Sequence, residues 1–226
     1  MVDVELEEGV ARIFLNRPEK VNALTSELLS TLASAVVGLK DRQLHLAVLA
    51  GRGKAFCGGA DLNELKSLTA GNAGAFVEKI HRVCKAIREL PVPVVASLHG
   101  AVIGGGLEIA AACDLRVAAE GTKFAMPEVK LAIPSVVEAA LLPRLMGQGR
   151  AAWMVLTGAT IDARKALQWG LIEDIGTAEL LVQQLLSCDG DALKAQKRLL
   201  QLWEEAPLAT SIPRSIEAFS QAHVKR

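Results

Sequence analysis

The sequence predicts an α/β fold built from repeated strand, turn and helix units, and three observations carry that reading. Residues 2–6 and 10–15 alternate apolar and polar positions about Glu8 and Gly9, the period of a β-hairpin. The apolar runs at 44–50 and 91–98 each end in a glycine-rich loop that leads into a stretch with helical spacing. From residue 178 onward the apolar positions keep a helical period alone. A chain of 226 residues that is 51% hydrophobic has ample material for one large core.

The elements follow in order. After the opening hairpin, the segment NRPEKVNAL breaks the alternation. Residues 26–40 then place Leu28, Leu29, Leu32, Ala35, Val36 and Leu39 on one helical face, with Thr25 or Ser26 as the cap. The strand at 44–50 passes through GRGKAFCGGAD to a helix starting near Leu62, where Asp61 and Glu64 have capping-box spacing. Phe76, Ile80, Val83, Ile87 and Leu90 step along a long helix that must stop before Pro91. Short strands are expected at 115–119 and 123–125, a turn at Glu128 and a helix start near Glu138. Asp162 caps RKALQWG, Gly170 closes it, and 171–175 is the last strand-like piece. Amphipathic helices at 178–187, 191–205 and 208–222, separated by Gly190 and Pro207, complete the chain. The organisation expected is a core over 1–176 and a helical region over 177–226.

Chemistry is expected at residues 99–114, HGAVIGGGLEIAAACD. Three glycines without Cβ atoms let backbone N–H groups approach a ligand, and the helix that follows begins with unpaired donors that attract negative charge. Glu108 lies on the first turns of that helix among apolar neighbours, where ionisation is costly, so it should be paired or functional. The loop ending in Gly58, Gly59 and Ala60 repeats the arrangement, so two helix starts can face one point.

Other function classes find no support. With 25 basic and 25 acidic residues the net charge is zero, which argues against nucleic-acid and membrane-surface binding. No apolar run reaches the roughly 20 residues of a membrane span, and the acidic start MVDVELEEG is no presequence, so a cytoplasmic location is expected. Cys57, Cys84, Cys113 and Cys188 lack ligand spacing and read as buried thiols in a reducing compartment; no metal is implied. Tyrosine is absent, which removes phenolic acid catalysis. The triple glycine is not G-x-G-x-x-G, GRGKAF is not a P-loop, Ser97 is not in G-x-S-x-G, and the four histidines form no H-E-x-x-H. Phe56, Trp153, Trp169 and Trp203 read as packing residues.

Together, AGRGKAFCGGADLNEL, HGAVIGGGLEIAAACDLRVAAEGTKFAMPEVKLAIP and VLTGATIDARKALQWGLI resemble the crotonase, or enoyl-CoA hydratase/isomerase, family over almost the whole chain. The resemblance implies a spiral of ββα repeats with a C-terminal helical region, assembling as a homotrimer or a dimer of trimers that binds acyl-CoA thioesters. It implies no added cofactor, since CoA is part of the substrate. The N–H groups of Ala60 and Gly105 match the family's oxyanion hole. Donors so placed stabilise the enolate formed at the thioester, at about 3–4 kcal/mol each. Glu108 and Glu128 match its two acids, one to activate water and one to hand a proton to Cα, each contributing roughly 10²- to 10⁴-fold. Lys20, Val21, Ala23 and Leu24 match the loop around the CoA adenine and phosphates. Leu62 follows the oxyanion residue toward the pantetheine channel, and Asp61 and Gly104 are further candidate substrate-binding positions, although Asp61 reads first as a helix cap.

Two features depart from the family pattern. PSVVEAALLPRL at 134–145 puts Val136, Val137 and Glu138 where small residues are usual. That third acid either narrows the acyl cavity and repositions the water, or simply favours a helix N-terminus. The chain ends at HVKR, short of the family's usual last helix, so the helical region is expected to be truncated. The expected reaction is hydration of a 2-enoyl-CoA to a 3-hydroxyacyl-CoA. Isomerisation, decarboxylation or thioester hydrolysis could use the same hole, and an inactive acyl-CoA-binding scaffold is the alternative of another class.

Overall fold

The structure, a computed structural model, describes residues 1–224; Lys225 and Arg226, at the expected truncation, lie outside the described residues. The chain opens with β1 (Val2–Glu7) and β2 (Val10–Leu15), a 3-10 turn at Pro18–Lys20, α1 (Ser26–Val37), β3 (Leu46–Gly51), α2 (Leu62–Ser67) and α3 (Ala73–Glu89). Next come β4 (Val94–Leu98), β5 (Ala101–Ile103), α4 (Gly105–Ala112), β6 (Leu115–Ala118), β7 (Lys123–Ala125) and 3-10 turns at Glu128–Leu131 and Val137–Leu141. The remainder is α5 (Leu142–Met146), α6 (Gln148–Thr157), β8 (Thr160–Asp162), α7 (Ala163–Trp169), β9 (Asp174–Ile175), α8 (Glu179–Leu186), α9 (Gly190–Glu205) and α10 (Leu208–Val224).

The strands form a six-stranded sheet in the order β1-β2-β3-β4-β6-β9 and a three-stranded sheet in the order β5-β7-β8. Only β1–β2 in the larger sheet is antiparallel, closed by Glu8 and Gly9 at φ 47° and 80°, the left-handed pair that a tight hairpin requires. From β2 onward each turn of chain stacks on the one before it. The main pairs β2–β3, β3–β4 and β4–β6 are parallel. Short parallel pairs accompany them, Leu24 with Ala60, Cys57 with Val102 and β5 with β7. This double stacking is the spiral of ββα repeats that the resemblance implied.

Burial follows the helical period. Leu28, Leu29, Leu32 and Val36 of α1 are fully buried, as are Val83 and Cys84 of α3, while every residue of α4 lies inside. At about 1.5–3 kcal/mol for each large apolar side chain, this layer is the main stabilising term. Lys197 of α9 ties the helical region to the core. Its buried Nζ donates to Ile87 O at 3.1 Å and Val92 O at 3.0 Å and pairs with Asp114 at 2.8 Å. No helix among the described residues is long and apolar enough to cross a membrane.

Several boundaries differ from expectation. α1 ends at Val37 rather than residue 40, because the chain turns at Gly38. β5, β8 and α6 were not anticipated: β5 lies inside the glycine-rich stretch at 99–106 and β8 runs into the cap residue Asp162, so another local signal covered each strand. Gly190 does not separate helices but begins α9, under the cap that Asp189 supplies to Ala192 N–H. Cys57, Cys84 and Cys113 are buried, but Cys188 is exposed just beyond the end of α8.

Candidate active site

Two glycine turns are pressed together backbone to backbone. Cys57 N–H donates to Ala101 O at 2.9 Å, and Ile103 N–H returns to Cys57 O at 3.1 Å. A Cβ on Gly59 would stand 3.1 Å from Ile103 O, and one on Gly106 would stand 2.6 Å from the Cys57 Cβ. The glycines are therefore required by close approach. Gly104 adopts φ 51° and ψ −125°, strained for any other residue, and spends its N–H on Ala125 O at 2.9 Å. Gly105 is the first residue of α4, and Ala60 immediately precedes Asp61, the cap of α2. Neither the Gly105 nor the Ala60 N–H has an acceptor among the described residues. Two free donors on adjoining turns suit one negatively charged oxygen.

The acids converge on the same turn. Glu108, 4% exposed, accepts the Ala139 N–H on Oε1 at 3.1 Å. Its Oε2 lies 3.8 Å from where a Gly105 Cβ would be. Burial pushes its carboxyl from the ordinary 4.5 up to about 8; the Ala139 bond opposes this, and the charges of Glu128 and Glu138 add to it. Glu128, in the first 3-10 turn after β7, sets Oε1 against Gly104, where a Cβ would collide with it. Its Oε2 accepts the Ser135 hydroxyl at 3.0 Å.

Glu138 lies in the 3-10 turn before α5, as placed near a helix start, but it is 7% exposed and engaged from the side. His81 of α3 meets its Oε1 at 2.8 Å, and its buried Oε2 has no partner. The preceding Val137 sits at φ 40°, a strained conformation for a β-branched residue.

The expected substrate-binding positions are spread more widely. Lys20 is exposed at the end of the first 3-10 turn, and Val21 turns the chain at φ 55°. Val21 O accepts Gly58 N–H at 2.8 Å, and Ala23 O accepts the Arg17 guanidinium at 3.1 Å. Leu24 is fully buried, with Cδ1 2.9 Å from the Gly105 Cβ position, so it packs beneath the glycine turn. Leu62 is 62% exposed. Asp61 caps α2 through the N–H groups of Asn63 and Glu64, and Arg17, 2.7 Å away, holds its carboxyl below the usual range. The capping box does not close: Glu64 Oε1 accepts Ser26 N–H, and Asp61 N–H goes to Leu24 O.

Four contributors carried no sequence signal. Asn22, fully buried at φ 52°, accepts Arg17 N–H and donates to Arg52 O and Ala55 O, holding the loop that supports Gly58. Ser135, Ala139 and His81 each touch an acid only through the tertiary fold.

The comparisons agree with this architecture. The family model described as enoyl-CoA hydratase/isomerase matches residues 5–223. A protein of Syntrophomonas wolfei named crotonyl-CoA hydratase is 34% identical over 226 residues, covering 95% of this chain and 86% of its own length. The enoyl-CoA isomerase/hydratase fer4 of Mycosarcoma maydis is 32% identical, with 90% and 81% covered. The crystal structure of enoyl-CoA hydratase from Thermoplasma volcanium superposes with a TM-score of 0.94 at 29% identity, covering 99% of this chain and 92% of that one. The chain belongs to the enoyl-CoA hydratase/isomerase, or crotonase, family of enzymes.

Proposed function

We propose that the protein hydrates a 2-enoyl-CoA to a 3-hydroxyacyl-CoA. One observation carries the reading: two acids and a free backbone donor meet at Gly104 and Gly105. The Gly105 N–H is open, Glu108 Oε2 lies beside it, and Glu128 Oε1 stands against Gly104. In this reading Ala60 and Gly105 hold the thioester oxygen, Glu108 takes a proton from water as it adds to Cβ, and Glu128 gives a proton to Cα. Charge that flows onto the oxygen as an enolate is met by donors already in place. Incubation with a short 2-enoyl-CoA should remove the conjugated thioester absorbance and yield the 3-hydroxyacyl product. A shifted double bond with no added water would mark isomerisation instead and overturn the reading.

The assembly proposed is a homotrimer or a dimer of trimers. Leu208, Ile212, Ile216 and Phe219 of α10 are 55–72% exposed on one helical face, an apolar strip of the kind that marks a contact surface. Sedimentation equilibrium should give three or six times the 24.0 kDa chain mass. A monomer mass at micromolar concentration would refute the assembly.

A further inference from the structure

We propose that His81 and Glu138 form a positioning pair for Glu108, pinning the 3-10 turn Val137–Leu141 to α3 so that Ala139 N–H stays on Glu108 Oε1 while Oε2 is kept for the reacting proton. The inference rests on Glu108 being the water base. Its observations are geometric. Residues 138 and 139 are neighbours in one turn: the side chain of the first is held by His81 at 2.8 Å, and the N–H of the second holds Glu108 at 3.1 Å. The turn thus joins a residue of α3 to the acid of α4.

The energetics argue against simple packing. A buried carboxylate with one oxygen unpartnered costs stability, and an apolar residue of similar volume would serve the core better. Val137 adds backbone strain at the same place. Such costs persist where the geometry they impose is used. A carboxylate with two rotatable bonds below its Cβ loses reactive alignment when one oxygen is released. Misplacement by about 1 Å can cost on the order of 10²-fold in rate.

The groups facing Glu108 are Glu128 and Glu138 from the two 3-10 turns, and Glu138 is in turn faced by His81 and Cys84 of α3. The buried Cys84 thiol is pushed up by burial and by the Glu138 and Glu108 charges. Glu138 therefore contributes charge as well as an anchor, which gives the test a second readout.

Steady-state kinetics on a short 2-enoyl-CoA and acyl-CoA affinity should be compared across variants. H81L and E138L should lower kcat about 10- to 100-fold with KM within about threefold. H81N, which keeps a donor near the Nδ1 position, and E138Q, which keeps an acceptor, should recover most of that loss. E138Q should also move the rising limb of the pH profile to lower pH, because one negative charge has left the neighbourhood of Glu108. Unchanged kcat in both leucine variants, or an unmoved limb in E138Q, would overturn the proposal. A loss in E138Q as deep as that in E108Q would overturn it too, making Glu138 itself a proton carrier. Should the leucine variants not fold, the H81N and E138Q pH profiles decide. Full activity in E108Q would instead remove the underlying assignment of the base, a distinct outcome.

Discussion

Glu108→Gln is expected to lower kcat on a short 2-enoyl-CoA by about 10²- to 10⁴-fold while leaving acyl-CoA affinity within about threefold. The amide oxygen can still accept Ala139 N–H, and the side chain fills the same space, so the turn Val137–Leu141 should keep its place. What disappears is the capacity to take a proton at Oε2. The donors at Ala60 and Gly105 are untouched by the change, so binding of the thioester oxygen should survive. The residual rate then measures the enolate-stabilising donors and positioning alone. Stopped assays at substrate concentrations well above and well below KM separate the two terms. An unaltered kcat would show that water is activated elsewhere; a loss confined to KM would show that Glu108 only shapes the pocket.

The fold was largely legible because its units are local. The hairpin at Glu8 and Gly9, the caps at Thr25 and Asp162, and the duplicated strand, glycine loop and helix start each depend on residues close in sequence. Glu108 was legible for the same reason, as an isolated acid on an apolar helix. β5 and β8 were not, since β5 is hidden in the glycine-rich stretch and β8 in the approach to the Asp162 cap, and their pairing partners lie 22 or more positions away. The partners of the acids were also hidden. His81 reads as an ordinary polar position on an amphipathic helix, and nothing in its spacing points 57 residues ahead to Glu138. Asp61 shows the reverse error: its local spacing with Glu64 suggested a reciprocal box, but only the Asp61 half forms, because the Glu64 side chain turns to Ser26 N–H while Arg17 holds the second Asp61 oxygen. Glu138 was placed by local pattern near a helix start, and its contact with His81 of α3 exists only in the tertiary fold.

Both catalysis and folding should report the protonation of Glu108, with opposite signs. Its carboxyl is raised from the ordinary 4.5 to about 8 mainly by burial, so the folded protein holds this proton more tightly than the unfolded chain. A raised carboxyl contributes stability that is fully present below about pH 4.5 and is lost as pH rises through about 8. Within that window unfolding free energy should fall by up to about 1.4 kcal/mol per pH unit from this group, an upper bound on the order of 5 kcal/mol. Urea titrations across pH 5 to 9 test the slope, and Glu108→Gln should remove it. Activity runs the other way. A water base must be ionised, so kcat/KM should rise about tenfold per pH unit and level off near pH 8. A falling limb with the same midpoint would exchange the roles, making Glu108 the proton donor and Glu128 the base. A stability slope that survives in Glu108→Gln would assign the proton to another group. The burial that makes the ionised acid costly to the fold is also what gives it basicity enough to draw a proton from water, so the pH at which the rate levels off should be the pH at which the loss of stability ends.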